Sequence, residues 1–165
     1  MTTIRPERPA DAAAISALTT AAFAGAEHSD GTEAQIVDRL RDAGALLVSL
    51  VAERDGAIIG HVAFSDVTIG GQDLGWVGLG PVSVAPALQA GGVGSALIRE
   101  GLTQAQTMGR KGCVVLGDPG YYARFGFQVT PGVTYPGVPA EYFMALSFDG
   151  PAPAGEVAYH AAFTG

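Results

Sequence analysis

The chain has 165 residues and a formal net charge of −7, from nine Lys and Arg against 16 Asp and Glu; 48% of it is hydrophobic and 15% charged. That length suits one domain spanning 1–165 with a core large enough to stand without metal or disulfide, and that balance is the reverse of a disordered chain's. The acidity argues against nucleic acid as a partner, and no apolar run approaches the ~20 residues of a membrane span.

Ile4 to Pro9 reads as an edge strand ending in prolines. Asp11 stands as N-cap of a helix reaching Phe23, whose Ile15, Leu18 and Ala22 recur at helical spacing. After the polar stretch Gly25–Gly31, a second helix runs from Thr32 to Asp42, with Thr32 and Gln35 at capping-box spacing and Gly44 as its stop. The period then becomes that of strands: Leu46–Glu53, the hairpin turn Arg54-Asp55-Gly56, Ala57–Val67, the turn Gly70–Asp73, and Leu74–Val84. Gly78, Gly80 and Pro81 interrupt the last of these, and a proline that cannot donate to a ladder predicts a bulge or splay there. A long helix from Gly91 to Met108, closed by Gly109, has Val93, Leu97, Ala105 and Met108 as core contacts. Gly112–Leu116 is a short apolar strand. It holds the one cysteine, Cys113, which reads as a buried small hydrophobe and suits a reducing cytoplasm. Asp118-Pro119-Gly120 is a turn, Tyr121–Phe125 a turn or two of helix, and Phe143–Phe148 and Val157–His160 the last strands, with Pro131–Pro139 and Pro151–Pro153 as surface loops. This order describes an α/β sandwich with a mixed sheet.

The chemistry lies in Val82–Leu97. A strand ends, Gln89-Ala90-Gly91-Gly92-Val93-Gly94-Ser95 follows, and a helix begins. The first turn of a helix presents unpaired N–H groups and a positive dipole end, and glycine admits a phosphate without a Cβ in the way. Such a stretch cradles a pyrophosphate with no basic residue. A dinucleotide fingerprint would need a third glycine where Leu97 stands, and the Gly-Lys-Ser/Thr of a nucleoside-triphosphate loop is absent. The remaining pattern, Gln-x-x-Gly-x-Gly at Gln89, Gly92 and Gly94, resembles the pyrophosphate loop of the GNAT acetyltransferases. Further on, Gly117-Asp118-Pro119-Gly120-Tyr121-Tyr122-Ala123-Arg124-Phe125-Gly126-Phe127 resembles the late tyrosine motif of that family and the wording of its YhbS-like subgroup. The ending Val157-Ala158-Tyr159-His160-Ala161-Ala162-Phe163 is similar to that subgroup too, and the element order agrees over nearly the whole chain.

The resemblance implies a GNAT fold: a mixed, mostly antiparallel central sheet flanked by helices, with a splayed strand pair. It implies acetyl-CoA as cosubstrate, no metal, and transfer of the acetyl group to a primary amine of a small molecule or peptide, with a homodimer as one open assembly. In that reading Val82 and Val84 meet the pantetheine arm through their backbones, and the Val82 amide polarises the thioester carbonyl. Gln89, Ala90, Gly91, Gly92, Val93, Gly94 and Ser95 hold the pyrophosphate, and Tyr122 protonates the departing thiolate. Tyr121 is expected to point elsewhere. Two departures stand out: Gly91 occupies a position where the family often carries Arg or Lys, and Trp76–Pro81 holds no acidic base. Glu27, Asp30, Glu33 and His61 are candidate bases by chemistry alone, and each also reads as a solvated or structural residue. The acceptor pocket is expected from Ala24–Glu33 and Thr130–Tyr142. A coenzyme A-binding sensor or subunit without turnover is the alternative.

Overall fold

Aliphatic and β-branched residues on both faces of successive strands make a sheet that must be covered on both sides. The computed structural model describes residues 1–26 and 29–164. In chain order it runs β1 (Thr2–Pro6), α1 (Ala12–Phe23), α2 (Glu33–Asp42), β2 (Val48–Arg54), β3 (Ala57–Asp66), β4 (Thr68–Ile69), β5 (Trp76–Val84), α3 (Val93–Thr107), β6 (Gly112–Leu116), α4 (Pro119–Tyr122), β7 (Val133–Thr134), β8 (Phe143–Ser147) and β9 (Gly155–Ala158). The main sheet has six strands in the order β1-β2-β3-β5-β6-β8. Every neighbouring pair in it is antiparallel except β5 and β6.

One face of this sheet carries α3, which buries Val93, Leu97, Ile98 and Ala105 against Leu50, Val62, Phe64 and Val77. The helix lies close because Gly101 has no side chain where the Phe64 ring passes. The other face is shared. Helices α1 and α2 cover its first half through Ile15, Val37 and Val51. A small second sheet, β4-β9-β7, covers the rest and encloses Trp76, Val114, Phe143 and Val157. The chain end packs on α2 through Ala162, against Ile36 and Leu40.

The architecture agrees with the sequence reading; several local details do not. Asp11 does not cap α1 with its side chain. Its carboxylate turns back to accept the Arg8 amide at 2.7 Å and both terminal nitrogens of Arg5 at 2.8 and 3.2 Å, because a two-pronged ion pair with a guanidinium outweighs a bond to one helix amide. No capping box forms at α2 either: the Thr32 hydroxyl donates to Asp30, and Gln35 accepts from Arg39. The first strand stops at Pro6. The third hairpin strand starts at Trp76, leaving Leu74 partly exposed. Met108 is 49% exposed rather than in the core, since α3 ends at Thr107 and Gly109 turns the chain away at φ 86°. Two strands of two residues each are new: β4 falls between the strand read to Val67 and the turn read from Gly70, and β7 falls in the loop Pro131–Pro139.

Candidate active site

The site begins where β5 loses a neighbour. Strands β5 and β6 pair only from Trp76↔Gly112 to Leu79↔Val115. Beyond that β5 stays on β3 alone, and the register shifts by one residue between Val62↔Val82 and Phe64↔Leu79, the bulge expected at Gly80-Pro81. The Ala85 amide donates to the Ile59 carbonyl at 2.9 Å. Bonded and non-bonded pairs alternate in an antiparallel ladder, so Ser83 bonds His61 while Val82 and Val84 turn their N–H and C=O groups the other way, into the gap that β6 vacates. Ser83 sends its side chain to Thr19 of α1, 3.2 Å away, and Val82 and Val84 send theirs to the α3 side. Gln89 Nε2 donates to the Val84 carbonyl at 3.1 Å.

The turn after β5 ends in a helix start with open amides. Gly92 sits at φ 89°, a conformation that only glycine adopts without strain, and it is the N-cap of α3. The first helical bond runs from the Ala96 amide to the Gly92 carbonyl at 3.1 Å. The amides of Val93, Gly94 and Ser95 therefore precede the ladder and have no partner among the described residues. Ala90 is also left-handed, at φ 69°, which costs a non-glycine residue about 1–2 kcal/mol and is the kind of strain found at ligand loops.

The facing wall comes from α4 and the turn after it. Asp118 caps α4 by accepting the Gly120 amide at 2.9 Å. Tyr122 packs edge-on against Phe127 and Tyr121, with ring centroids 6.1 and 5.0 Å away. Its ring lies over Gly117, where a Cβ would come within 2.5 Å of it. Burial, then the neighbouring Tyr121, Cys113 and Asp118, pushes the Tyr122 phenol up to about 12. Its hydroxyl has no hydrogen-bond partner among the described residues. Tyr121 does not point elsewhere: its hydroxyl stands 3.3 Å from Ser95 Oγ, across the cleft.

Val82, Val84, Gln89, Ala90, Gly92, Gly94, Ser95 and Tyr122 thus line one cleft of about 380 Å³, together with Leu88, Tyr121 and Arg124. Val93 is not in the lining: its side chain is in the core, and only its unpaired amide belongs to the helix start beside the cleft. Gly91 is not in the lining, and its amide turns back to the Leu88 carbonyl at 3.4 Å. Arg124 escaped the sequence reading, although its i+3 spacing from Tyr121 is a signal that could have found it. Its Nε donates to the Tyr121 carbonyl at 3.0 Å and its guanidinium lies 4.4 Å over the Tyr121 ring. Among the described residues no candidate base lines the cleft. Glu27 lies outside the described residues. Asp30 accepts from Thr32, and Glu33 accepts from Ser29. His61 is fully buried on the opposite face, bonded to Ser49 Oγ at 2.7 Å, and burial pushes it down to about 4.

Residues 46–129 match the family model of the acetyltransferase (GNAT) domain. Over 127 residues, 76% of this chain and 73% of the relative, the sequence is 43% identical to the uncharacterized N-acetyltransferase YhbS of Escherichia coli strain K12. The chain is a GNAT acetyltransferase. A GNAT family acetyltransferase from Brucella melitensis, solved in complex with acetyl-CoA, superposes with a TM-score of 0.90 at 53% identity, covering 99% of this chain and 98% of that one. YhbS from Escherichia coli, solved in complex with CoA, gives 0.88 at 36% identity, covering 99% and 92%. The matched GNAT segment contains the open edge of β5, the glycine turn and both tyrosines; α1, α2 and the β8–β9 region lie outside it. In this GNAT chain no helix among the described residues is long and apolar enough to cross a membrane. Nor do three or more His, Cys, Asp or Glu side chains among those residues form a group that could hold a metal ion.

Proposed function

We propose that this GNAT domain, 1–165, transfers the acetyl group of acetyl-CoA to a primary amine of a small molecule or peptide by direct attack on the thioester. The observation that carries the reading is continuity. The open backbone edge at Val82 and Val84 runs into the free amides of Val93, Gly94 and Ser95, with the Tyr122 hydroxyl in the same cleft. An extended amide-bearing arm fits the first, an anion the second, and a leaving thiolate the third. The Brucella and Escherichia structures, which hold acetyl-CoA and CoA, support the same ligand here.

In the proposed reaction the amine nitrogen attacks the carbonyl carbon and the Val82 amide receives the developing oxyanion. The C–S bond then breaks, Tyr122 gives its proton to the sulfur, and the new amide nitrogen loses its extra proton to water. With one cysteine, buried, and no use for a disulfide, the expected place of work is the cytoplasm. A coenzyme A binder without turnover stays as the second reading because the cleft lining offers no carboxylate or imidazole base among the described residues; release of free CoA thiol across a panel of amines separates the two.

The test of the site is a melting curve. Acetyl-CoA at ~100 times its Kd should add roughly 2.7 kcal/mol to stability. Gly94 has an ordinary helical φ and room for a side chain, with Tyr121 Oη at 3.4 Å from a built Cβ. Gly94→Asp should fold and lose the shift, since a carboxylate among the amides repels the phosphates. A variant that keeps the wild-type shift would show that the anion is bound elsewhere.

A further inference from the structure

Between Gln89 and Ser95 there is no Lys or Arg, so a coenzyme seated there would set its phosphates on backbone dipoles alone, in a chain of net charge −7. The fold brings a cation from another element. Among the described residues Arg124 is the one charged side chain in the lining of the cleft, and it stands on the wall opposite the glycine turn. It is held there twice, by the bond from its Nε to the Tyr121 carbonyl at 3.0 Å and by the stack of its guanidinium 4.4 Å over the Tyr121 ring. That ring is itself tied across the cleft, its hydroxyl 3.3 Å from Ser95 Oγ. Nε is thus used for position, while Nη1 and Nη2 have no partner among the described residues. Arg5, Arg41 and Arg110 differ: each is closed by a carboxylate, at 2.8, 2.8 and 3.0 Å. A planar fork oriented by a stack, with two donors left over in the lining of a cleft that also holds the glycine turn, is an arrangement suited to bidentate phosphate binding.

We propose that Arg124 clamps a phosphate group of acetyl-CoA and takes the part of the cation missing at Gly91. The clamp rests on the coenzyme reading above. The shared chemistry is a phosphate oxyanion, supplied either by the pyrophosphate or by the 3′-phosphate on the ribose, and the ligand pair used in the test tells them apart.

Wild type, Arg124→Gln and Arg124→Lys are titrated calorimetrically with acetyl-CoA and with its 3′-dephospho form. Arg124 is exposed, so both variants should melt like wild type without ligand. Arg124→Gln should weaken acetyl-CoA binding about tenfold or more, the worth of a lost charge-assisted bidentate pair. Arg124→Lys should recover part of this, because it keeps the charge but not the stacked fork. If the dephospho ligand loses the same factor, the clamp is on the pyrophosphate; if it loses nothing, the clamp is on the 3′-phosphate. Wild-type binding of both ligands with no loss in Arg124→Gln overturns the clamp and leaves the coenzyme reading standing. Failure of wild type itself to bind acetyl-CoA overturns the coenzyme reading, and the clamp falls with it.

Discussion

Tyr122 illustrates how burial shapes a proposed acid. A phenol near 12 stays protonated throughout the neutral range, so it is always loaded, but it is a weak donor toward a thiolate of ordinary pKa, about 8.5. The same apolar surroundings push up the Cys113 thiol on the strand below, and they raise a departing thiolate in the same direction, which narrows the gap. Tyr122→Phe should therefore lower kcat by about 10²-fold, the low end of the range for a general acid, and leave the acetyl-CoA Kd unchanged because every ring carbon remains. The ratio of wild type to variant should be flat from about pH 6 to about pH 9, since the phenol does not titrate there. Full activity in the variant would remove Tyr122 from the mechanism. The sequence motif pointed to Tyr122 but misjudged Tyr121. Neighbouring residues on a helix project in different directions, and only the approach of Ser95 shows that a four-residue helix lays both along one cleft.

At the scale of elements, the cradle depends on where α3 is seated. Its first turn reaches the end of β5 because the helix lies tightly on β3: Gly101 makes room for Phe64, and Gly60 sits 2.9 Å, measured to a built Cβ, from both Leu97 and Val93. A methyl at Gly101 enters the Phe64 ring position, and the ring is fully buried. Gly101→Ala should cost about 1–3 kcal/mol by overpacking, read as a lower urea midpoint. It should also weaken acetyl-CoA binding, because the helix start moves off the strand end. An unchanged midpoint would mean that the helix is not seated through this contact. The glycine-rich turn was visible in the sequence; the two glycines that set its height over the sheet were not, since their need for space comes from Phe64, Leu97 and Val93 in other elements.

The whole molecule carries a buried polar network on the face away from the cleft. His61 bonds Ser49, Ser49 bonds Glu7, and Glu7 is held by Arg41 at 2.8 Å. Only one His61 nitrogen is used, and Nδ1 is buried without a partner among the described residues. Burial, and to a smaller degree Arg41, holds His61 down to about 4, although Glu7 pulls the other way. A base whose folded pKa lies below its unfolded value of 6.5 binds more protons when unfolded, so stability is full above pH 6.5 and falls as the pH drops toward 4. The loss should be roughly 3 kcal/mol over that window. His61→Gln should flatten it, and an imidazole titrating near 6.5 in the folded protein would contradict it. A second loss should follow lower down. The Arg5 guanidinium and the Arg8 amide hold Asp11 down to about 2, against 3.8 unfolded, so this contribution is present above 3.8 and disappears as pH falls to 2.

Sequence alone determined the order of the main helices and strands, the glycine-rich turn at Gln89–Ser95 and the bulge at Gly80-Pro81. Each is a local matter, in which periodicity, a missing amide proton or a missing Cβ acts within a few residues. It also pointed to Tyr122, through a contiguous motif. Tertiary structure decided the rest. The free edge of Val82 and Val84 exists because β6 pairs with β5 only as far as Leu79. Two strands of the second sheet, β4 and β7, are too short to leave a pattern and exist through their pairing with β9. Arg124 lines the cleft because α4 folds across the mouth toward Ser95. Strand register and the direction of a side chain across a gap depend on partners distant in sequence, and the packing free energy that selects them is not written in any one segment.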